Sequence, residues 1–406
     1  MTRNGISPVV TVLDCSKAFD KCRFSILFSR LIEKNMPAIV VRTLVFIYME
    51  QYAWVRWGDA KSSMMEITNG TRQGAILSPI LWATYADPML KRLRALGLGA
   101  RVCGQFVGAV MFADDVLLIA PTRNAMQRML EELERFAEES NITFSTDPVP
   151  MRSKSKCIYV VGSNSNREKP APLVLCGNEL PWVDQADHLG CTITSNGSMD
   201  HDARIKRARF IASSSEIRAI FRSAAPLEII KALKLYCGAF YGSSLWDLGG
   251  EAAQKVYSSW DTAVKLLWGC PQWTRTYFLQ KILYCGQTSA RVEILSRYCN
   301  FFESLKDSAS FEVQVVARYV ARDIRTVTGK NVSLIRNLSG LQGKSSNVHC
   351  VKESLTEAFS KDVPQEDTWR MSYLCSLITQ RREAKECGAT DRENEIQNLI
   401  NSLVKN

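Results

Sequence analysis

The chain has 406 residues, with 51 lysines and arginines against 41 acidic residues and a formal net charge of +10. This length gives room for two or three domains, and the basic balance suits a polyanionic partner such as nucleic acid. The longest apolar stretch, 36–49, contains Arg42 and is too short to cross a bilayer, and the 13 cysteines include no C-x-x-C pair. We therefore expect no membrane partner, no zinc finger, and a location in the nucleus or cytoplasm.

The first predicted element is a buried strand. The run 9–13 is apolar and β-branched, as buried strands are, and it ends directly on Asp14. Alone, an aspartate at this place is a strand-end or capping carboxylate. A helix over 23–34 is predicted next, and Asp20 precedes it as its expected N-terminal cap.

The next signal is a glycine-containing loop that leads into a helix. The segment 69–79 contains Gly70 and Gly74, which give the backbone freedom and let a substrate approach closely. Ser78-Pro79 is typical of a helix start, with the serine as cap and the proline at the first helical position. The helix extends to about Leu96, and a loop that caps an ordinary core helix is the alternative.

Two adjacent carboxylates, Asp114 and Asp115, lie in a turn between the apolar runs 107–111 and 116–120. Like charges this close raise each other's pKa and destabilise the turn unless a cation is present, and a divalent metal holds both ionised. If the strand that ends on Asp14 lies in the same sheet, Asp14 and Asp114 reach one edge and share two metal ions, as in nucleotidyl transfer. The alternative is a hairpin turn that happens to contain aspartates.

Further elements follow in chain order. The patterns predict an amphipathic helix over 123–140, a strand over 141–146, a basic segment at 154–159, a hairpin at 182–190, and helices that begin near Ser198 and Pro226. The first of these two helices carries four closely spaced cations, Arg204, Lys206, Arg207 and Arg209. They suit the backbone of a nucleic acid, and solvated helix faces are the alternative.

The rest of the chain, 251–406, is predicted to be helical. Four tryptophans are expected in the core rather than stacked on bases: Trp246, Trp260, Trp268 and Trp273. The polar stretch 328–347, rich in serine and asparagine, predicts a flexible linker. Two polar helical patterns follow it, at 367–384 and 392–404.

Three of these segments together resemble the palm motifs of reverse transcriptases, namely 13–20 (LDCSKAFD), 72–79 (RQGAILSP) and 112–115 (FADD). They occur in the family's order and at fitting distances, and their variants are similar to those of LINE-type, non-LTR retrotransposons. The resemblance covers roughly residues 3–250. It implies an RNA-directed DNA polymerase that extends a DNA primer on an RNA template.

The fold implied by this resemblance is α+β, in the form of a polymerase right hand. A palm over 1–192 contains a mixed sheet with helices on one face. An all-helical thumb follows over 193–250, and its cations hold the template and primer. The helical C-terminal region occupies 251–406.

The resemblance also implies roles for single residues. Asp14 and Asp114, with Asp115 close by in the turn, bind two Mg²⁺ ions, for which Mn²⁺ is an alternative. The residues that contact the dNTP substrate or the templating base pair are Phe19, Arg72, Gln73, Gly74 and Lys154. No nucleophilic side chain is needed, because the metals activate the primer 3′-hydroxyl.

Several of these implied roles have alternatives. Phe19 resembles the aromatic side chain that blocks a ribose 2′-hydroxyl, or it is a core residue. Lys156 is the alternative to Lys154 near the triphosphate, and a solvated basic loop is a third interpretation. The hairpin at 182–190 resembles the primer grip, in which Leu189 packs and Gly190 lets the primer backbone come close. His188 stands at the family's aromatic position, without a metal role.

The chain departs from the family at its start. Only 13 residues precede Asp14, where reverse transcriptases have a fingers region, and no endonuclease domain is recognisable. We therefore expect a chain that lacks most of the fingers and shows little or no primer extension by itself. The second hypothesis is a catalytically inactive remnant that only binds nucleic acid. Nothing in the sequence indicates the oligomeric state.

Overall fold

The structure is a computed structural model that describes residues 7–161, 168–221, 224, 226–267, 270–274, 276, 289–339, 355, 373, 376–378, 380–381, 383–385 and 387–405. The chain divides into two compact units, Met1–Gly197 and Ser198–Asn406. The first unit combines strands and helices, and the second is helical. None of the helices described is long and apolar enough to cross a membrane.

The described residues of the first unit form four α-helices, α1 (Phe24–Glu33), α2 (Ala38–Met49), α3 (Ser78–Leu96) and α4 (Arg123–Ser140). Its longer strands are β1 (Val9–Asp14), β8 (Ala109–Phe112), β9 (Asp115–Ala120), β10 (Lys156–Tyr159), β13 (Gln185–His188) and β14 (Cys191–Thr194). The shorter strands, which form two-stranded pairs, are β2 (Tyr52–Ala53), β3 (Arg56–Trp57), β4 (Ala60–Lys61), β5 (Met65–Glu66), β6 (Arg101–Val102), β7 (Gln105–Phe106), β11 (Leu173–Leu175) and β12 (Asn178–Leu180).

Four strands form the central sheet, in the order β10-β1-β9-β8. Every neighbouring pair is antiparallel, and the register sets Val12 opposite Lys156 and Asp14 opposite Asp115. The mixed sheet predicted from the sequence is therefore wrong. β8 and β9 form a hairpin around the Asp-Asp turn and β1 enters beside β9 in the opposite direction, so no two neighbouring strands of this sheet run parallel. The parallel contact at its edge is an isolated bridge between Cys157 and Trp182.

The two faces of this sheet bury different partners. Side chains alternate along a strand, so Val9 and Leu13 of β1 face one way while Val10 and Val12 face the other. The first pair joins a large core with α1, α3 and α4, and the second pair joins a smaller cluster with Ala186 of β13. Hydrophobic burial on both sides therefore holds the end of β1 in place.

Two helix starts differ from the sequence prediction. α1 begins at Phe24 without a side-chain cap, and Asp20 instead accepts a hydrogen bond from the Gln73 side chain. Ser78 is already inside α3, and its hydroxyl donates to the Arg72 carbonyl rather than capping the helix. At both places a contact with another loop residue uses the polar group that a local cap would use.

Helix α4 confirms the prediction for 123–140. The Thr122 hydroxyl caps it by accepting from the Ala125 amide, and the predicted apolar face is buried, comprising Met126, Met129, Leu130, Leu133, Phe136 and Ala137. The strand predicted at 141–146 is wrong, because within this fully described segment Phe144 makes only an isolated bridge with Cys15. After α4 the segment 141–146 runs beside the end of β1 for a few residues and then leaves the sheet without forming a strand.

In the second unit, the helices whose bounds the structure describes are α5 (Asp200–Ile220), α6 (Pro226–Cys237), α7 (Glu251–Leu267), α8 (Ala290–Lys306), α9 (Phe311–Arg322), α10 (Val327–Ser339) and α11 (Thr390–Lys405). Trp246 and Trp260 are buried in its core, as predicted. Trp273 is 62% exposed, so the prediction is wrong there, and Trp268 lies outside the described residues. Helices on both sides of residue 250 share this core, and the separate roles expected for 193–250 and 251–406 stay predictions.

The stretch predicted as a linker is largely helical. α10 covers Val327–Ser339, and 340–347 lies outside the described residues. The polar composition hides a helical spacing of buried residues, since Asn331 and Ile335 both face the core. The Asn331 side chain also bonds the Trp246 carbonyl and the Leu248 amide. The pattern predicted at 392–404 matches α11, while most of 367–384 is outside the described residues.

Candidate active site

Three aspartates lie at one end of the central sheet. Asp14 is the last residue of β1 and pairs with Asp115, the first residue of β9. Asp114 immediately precedes Asp115 in the turn, and its carbonyl accepts a hydrogen bond of 3.2 Å from the Cys15 amide. We call these three residues the acidic edge. The structure thus brings together carboxylates that are 100 residues apart in the chain.

The acidic edge carries an excess of negative charge. Burial, and then the neighbouring Asp114 and Asp14 carboxylates, raise the pKa of Asp115 above its usual range, while His188 opposes the shift. The thiol of Cys15 feels the same field, since burial and then the three aspartates raise its pKa to about 12. Two neighbouring groups therefore disfavour further negative charge at this edge, and a bound cation would stabilise the ionised carboxylates.

Among the described residues, an exposed cation and a hydroxyl group lie beside the Asp14 carboxylate. The Lys154 ammonium lies 3.9 Å from its Oδ2 atom, and this lysine is 73% exposed. The Ser145 hydroxyl donates a short hydrogen bond to the same oxygen, and the Ser145 amide bonds the Asp14 carbonyl at 2.8 Å. Sequence reasoning missed Ser145, although its place in the segment after α4 was an available signal.

The donor chemistry of the acidic edge fits a hard divalent cation. Carboxylate oxygens are the ligands that Mg²⁺ and Mn²⁺ prefer, and the excess negative charge is what such an ion neutralises. Across the described ranges, no three carboxylate, imidazole or thiol groups already converge as a complete ligand set. Within the described ranges the edge therefore offers suitable oxygen donors but not a complete ligand set.

A buried tryptophan holds the Asp-Asp turn. The Trp82 indole N–H donates a 2.7 Å hydrogen bond to the Ala113 carbonyl, and its ring lies 5.8 Å from Phe19 and 5.9 Å from Tyr85. Ala113 itself has a left-handed backbone, with φ of 52°, which costs a non-glycine residue free energy. Sequence reasoning missed Trp82. Its only signal was its place on α3, one turn after Ser78.

The loop before α3 is fastened to the segment after β1. The Thr71 backbone amide donates to the Phe19 carbonyl at 2.7 Å. The side-chain amide of Gln73 donates to the Asp20 carboxylate at 3.2 Å. Gly70 has a φ of +94°, and a Cβ there would lie 3.0 Å from the Asp20 carbonyl oxygen. A glycine is therefore needed for this close approach. These contacts join the segments 13–20 and 72–79, two of the three that resemble palm motifs.

The other predicted nucleotide contacts are placed as follows. Phe19 is half-buried beside Trp82 rather than fully in the core. Arg72 and Gly74 are exposed, and the Arg72 guanidinium bonds the Gln51 side chain at 3.2 Å. Lys154 stands beside Asp14, whereas Lys156 is opposite Val12 inside the sheet. Their roles stay predictions, and the geometry favours Lys154 over Lys156.

The hairpin predicted at 182–190 lies at 185–194 in the structure, where a two-residue turn joins β13 and β14. His188 pairs with Cys191, and Leu189 and Gly190 between them have φ of 48° and 73°. Two successive left-handed residues match the type I′ turns of tight hairpins. His188 lies close enough to Asp115 to affect its pKa, while burial lowers the pKa of the imidazole itself.

The four cations predicted to bind nucleic acid are dispersed around α5. Arg204 and Arg209 are exposed, whereas the Lys206 ammonium lies 3.8 Å from the buried Asp202 and 5.9 Å from the Tyr241 ring. Arg207 bonds the Ser259 hydroxyl at 2.6 Å. These four side chains therefore present no common free face, and their contact with nucleic acid stays a prediction.

Comparison with known proteins gives a family for the first unit. Residues 1–193 match the family described as "Reverse transcriptase (RNA-dependent DNA polymerase)". The chain is 26% identical over 195 residues to the "Retrovirus-related Pol polyprotein from type-1 retrotransposable element R2" of Nasonia vitripennis, covering 46% of this chain and 18% of that protein. It is 28% identical over 194 residues to the type-2 element R2DM polyprotein of Drosophila melanogaster, covering 46% and 17%.

A third relative reaches further along the chain. The "Probable RNA-directed DNA polymerase from transposon X-element" of Drosophila melanogaster is 21% identical over 283 residues, 67% of this chain and 29% of that protein. The chain thus spans less than a third of each of these relatives. A solved telomerase structure from Candida albicans, with a telomeric RNA fragment, aligns with a TM-score of 0.34 at 12% identity, over 90% of this chain and 49% of that one. That likeness is too weak to carry an argument.

Proposed function

Residues 1–193 belong to the reverse transcriptase family, and we propose that this chain performs the nucleotidyl transfer of a retrotransposon RNA-directed DNA polymerase. The observation that carries the proposal is the antiparallel register of β1 and β9. It sets Asp14 opposite Asp115 with Asp114 beside them. In such an enzyme a DNA primer is extended with dNTPs along an RNA template.

We assign the acidic edge to two Mg²⁺ ions. When bound, such ions activate the primer 3′-hydroxyl and neutralise charge on the triphosphate. The chain's own residues supply the positioning. Ser145 orients the Asp14 carboxylate through its hydroxyl, and Trp82 holds the carbonyl of Ala113 so that the turn keeps its shape. Lys154 is close enough to Asp14 to face an anionic triphosphate.

The remaining assignments follow from position. The exposed Arg72, Gln73 and Gly74 border the dNTP and the templating base, because their loop is fastened to the segment that follows Asp14. Phe19 limits the space at the sugar. The first unit acts as the palm. The left-handed turn at Leu189 and Gly190 is its primer grip, where the protein backbone contacts the primer. A thumb role for 193–250 and a nuclear or cytoplasmic location belong to the same proposal.

Primer extension on an RNA template with Mg²⁺ tests this function. Asp114→Asn removes one carboxylate charge at nearly constant shape, and we expect it to reduce extension by at least about 100-fold. Asp59→Asn, at an exposed hairpin position, removes the same charge away from the edge and should leave extension unchanged.

Mn²⁺ binding followed by electron paramagnetic resonance gives a second readout that needs no turnover. The wild-type chain and Asp59→Asn should bind Mn²⁺ alike, and Asp114→Asn should bind it more weakly. Extension that survives Asp114→Asn, or equal Mn²⁺ binding by the two variants, would overturn the assignment. Nucleic-acid binding with neither extension nor Mn²⁺ binding by the wild-type chain would instead favour a non-catalytic binder.

A further inference from the structure

Three helices of the second unit line an open cavity of about 450 Å³. They are α8, α9 and α10, and none of the described residues that line the cavity is acidic. Four cations surround it, namely Lys306, Arg318, Arg322 and Arg336. We call this cavity the basic pocket. It lies entirely outside the region that matches the reverse transcriptase family.

Among the described residues, no acidic side chain pairs with an arginine of the basic pocket. Arg318 has one long hydrogen bond, of 3.5 Å, to the neutral side chain of Gln314. Arg322 and Arg336 have no hydrogen bond or ion pair with any residue that the structure describes, and both are exposed. Lys306 does have an acidic partner in the described part of the chain, namely Glu303. Several positive charges therefore meet around one cavity with little to balance them.

An ordinary structural explanation accounts for only part of this charge. Cations at the C-terminal end of a helix interact favourably with the helix dipole, and Lys306 and Arg322 end α8 and α9. However, Arg322 donates to no helix carbonyl among the described residues. The nearby acid Asp323 already holds Arg325 through two contacts of 2.8 and 3.0 Å, so it is not left to balance the pocket.

We infer that the basic pocket binds phosphate groups of a nucleic-acid strand. The planar guanidinium fork matches a phosphate oxygen pair, and Ser333 and Asn337 add polar groups to the lining. The volume suits a site for one small group or a short piece of backbone. Phe302 and Ile324 supply apolar surface for a sugar or base. The choice of nucleic acid over another phosphate carrier rests on the proposed polymerase function.

Arginine protection tests this site in the intact full chain. The chain is treated with phenylglyoxal in EDTA, with and without a short single-stranded RNA, and modification is measured at each arginine by mass spectrometry. We expect RNA to slow modification of Arg322 and Arg336 several-fold. Arg392, which is exposed on α11 and is not among the residues that line the pocket, should be unaffected. Equal modification with and without RNA overturns the proposal.

A variant pair measures the contribution to binding. Arg322→Gln with Arg336→Gln should weaken RNA binding roughly tenfold and flatten the slope of log affinity against log salt by about 1.4, as for two lost single-strand contacts. Lys385→Gln with Arg392→Gln removes two charges from exposed positions and should leave the slope unchanged. Equal slopes for the two double variants contradict the proposal.

Competition separates the sources of phosphate. Pyrophosphate and ATP are added in place of RNA, and protection of Arg322 and Arg336 by these alone, without protection by RNA, would reject a nucleic-acid strand. Because EDTA and the absence of dNTPs prevent extension, failure of the polymerase proposal and failure of this one give different results. If the double variant does not fold, protection in the wild-type chain still decides.

Discussion

The acidic edge and the basic pocket both concentrate like charge, but they hold it in different ways. Asp14 and Asp115 sit on paired strands of a sheet that is buried on both faces. Arg322 and Arg336 stand on exposed helix surfaces. Positions on a sheet are defined by register and packing, so small errors there change the chemistry. Long exposed side chains adapt to an irregular polyanion instead.

The supporting contacts differ accordingly. At the acidic edge, Trp82, Ser145 and the Cys15 amide each bond a specific atom of the turn or of Asp14. Arg322 and Arg336 have no such support in the described part of the chain. We therefore expect single substitutions to have large effects on the first region, whereas the second should respond to total charge and to salt.

The largest expected effect comes from Asp115→Asn at the acidic edge. We expect extension to fall about 100-fold, because a carboxylate donor is lost. In metal-free protein the same change should slow hydrogen exchange of the β1 and β9 amides, by an amount worth up to about 1 kcal/mol, since like charges directly opposite destabilise a strand pair. Asp59→Asn is the control for both measurements.

The pH dependence of this stability has a definite sign. The pKa of Asp115 is raised in the folded chain, so its stability contribution is present at low pH and is lost as pH rises through that pKa. The gain in protection from Asp115→Asn should therefore grow from about pH 4 towards neutrality. A gain that is constant over this range would mean that charge repulsion is not the cause.

A smaller effect is expected from Trp82→Phe, which removes the indole hydrogen bond and keeps an aromatic ring. The unpaired Ala113 carbonyl should cost about 1–3 kcal/mol locally, and misplacement of the turn should lower kcat about tenfold more than it changes KM. Tyr85→Phe, on the same helix, is the matched control. Its hydroxyl bonds the Ser140 carbonyl and does not touch the Asp-Asp turn.

If Trp82→Phe and Tyr85→Phe lower kcat equally, Trp82 acts through general packing of the core. If instead Trp82→Phe lowers kcat more than Tyr85→Phe does, the acidic edge depends on one specific hydrogen bond, unlike the basic pocket. There, exchange of one arginine for lysine keeps the charge, and we expect it to change RNA affinity only slightly.

The smallest expected effect concerns backbone strain in the same turn. Ala113→Gly removes the strain of the left-handed conformation, which costs an alanine about 1–2 kcal/mol. Part of this gain is offset, because glycine has more conformational freedom in the unfolded chain. We expect a net gain of about 0.5 kcal/mol in hydrogen-exchange protection of β8 and β9. Ala109→Gly in β8, where φ is ordinary, should lower protection instead. Loss in both variants would show that the turn stores no strain.

Sequence reasoning succeeded where a local pattern carries the physics. The spacing of apolar residues predicted α4, since one buried face is enough to define an amphipathic helix. The apolar runs predicted the strands on both sides of the Asp-Asp turn. The predicted helix caps were wrong, because the Asp20 carboxylate and the Ser78 hydroxyl bond Gln73 and Arg72 of the loop before α3 rather than the first-turn amides of their helices.

Polar composition misled the prediction for the second unit. The segment 328–347 contains too many serines and asparagines to suggest a buried helix, yet Asn331 satisfies its side chain against the Trp246 and Leu248 backbone. A buried polar residue of this kind is stable only with those partners. The partners lie more than 80 residues away in sequence, so no local window contains them.

From the amino-acid sequence alone came the three resembling motifs, the carboxylates at strand ends and the basic balance of the chain. These follow from short patterns, because residue type and spacing determine local backbone preference and chemical capacity. The tertiary structure decided the antiparallel register, the Trp82 and Ser145 contacts, the dispersal of cations around α5, and the basic pocket. Each of these depends on which distant segments meet, and that is settled by burial and hydrogen bonding across the whole fold.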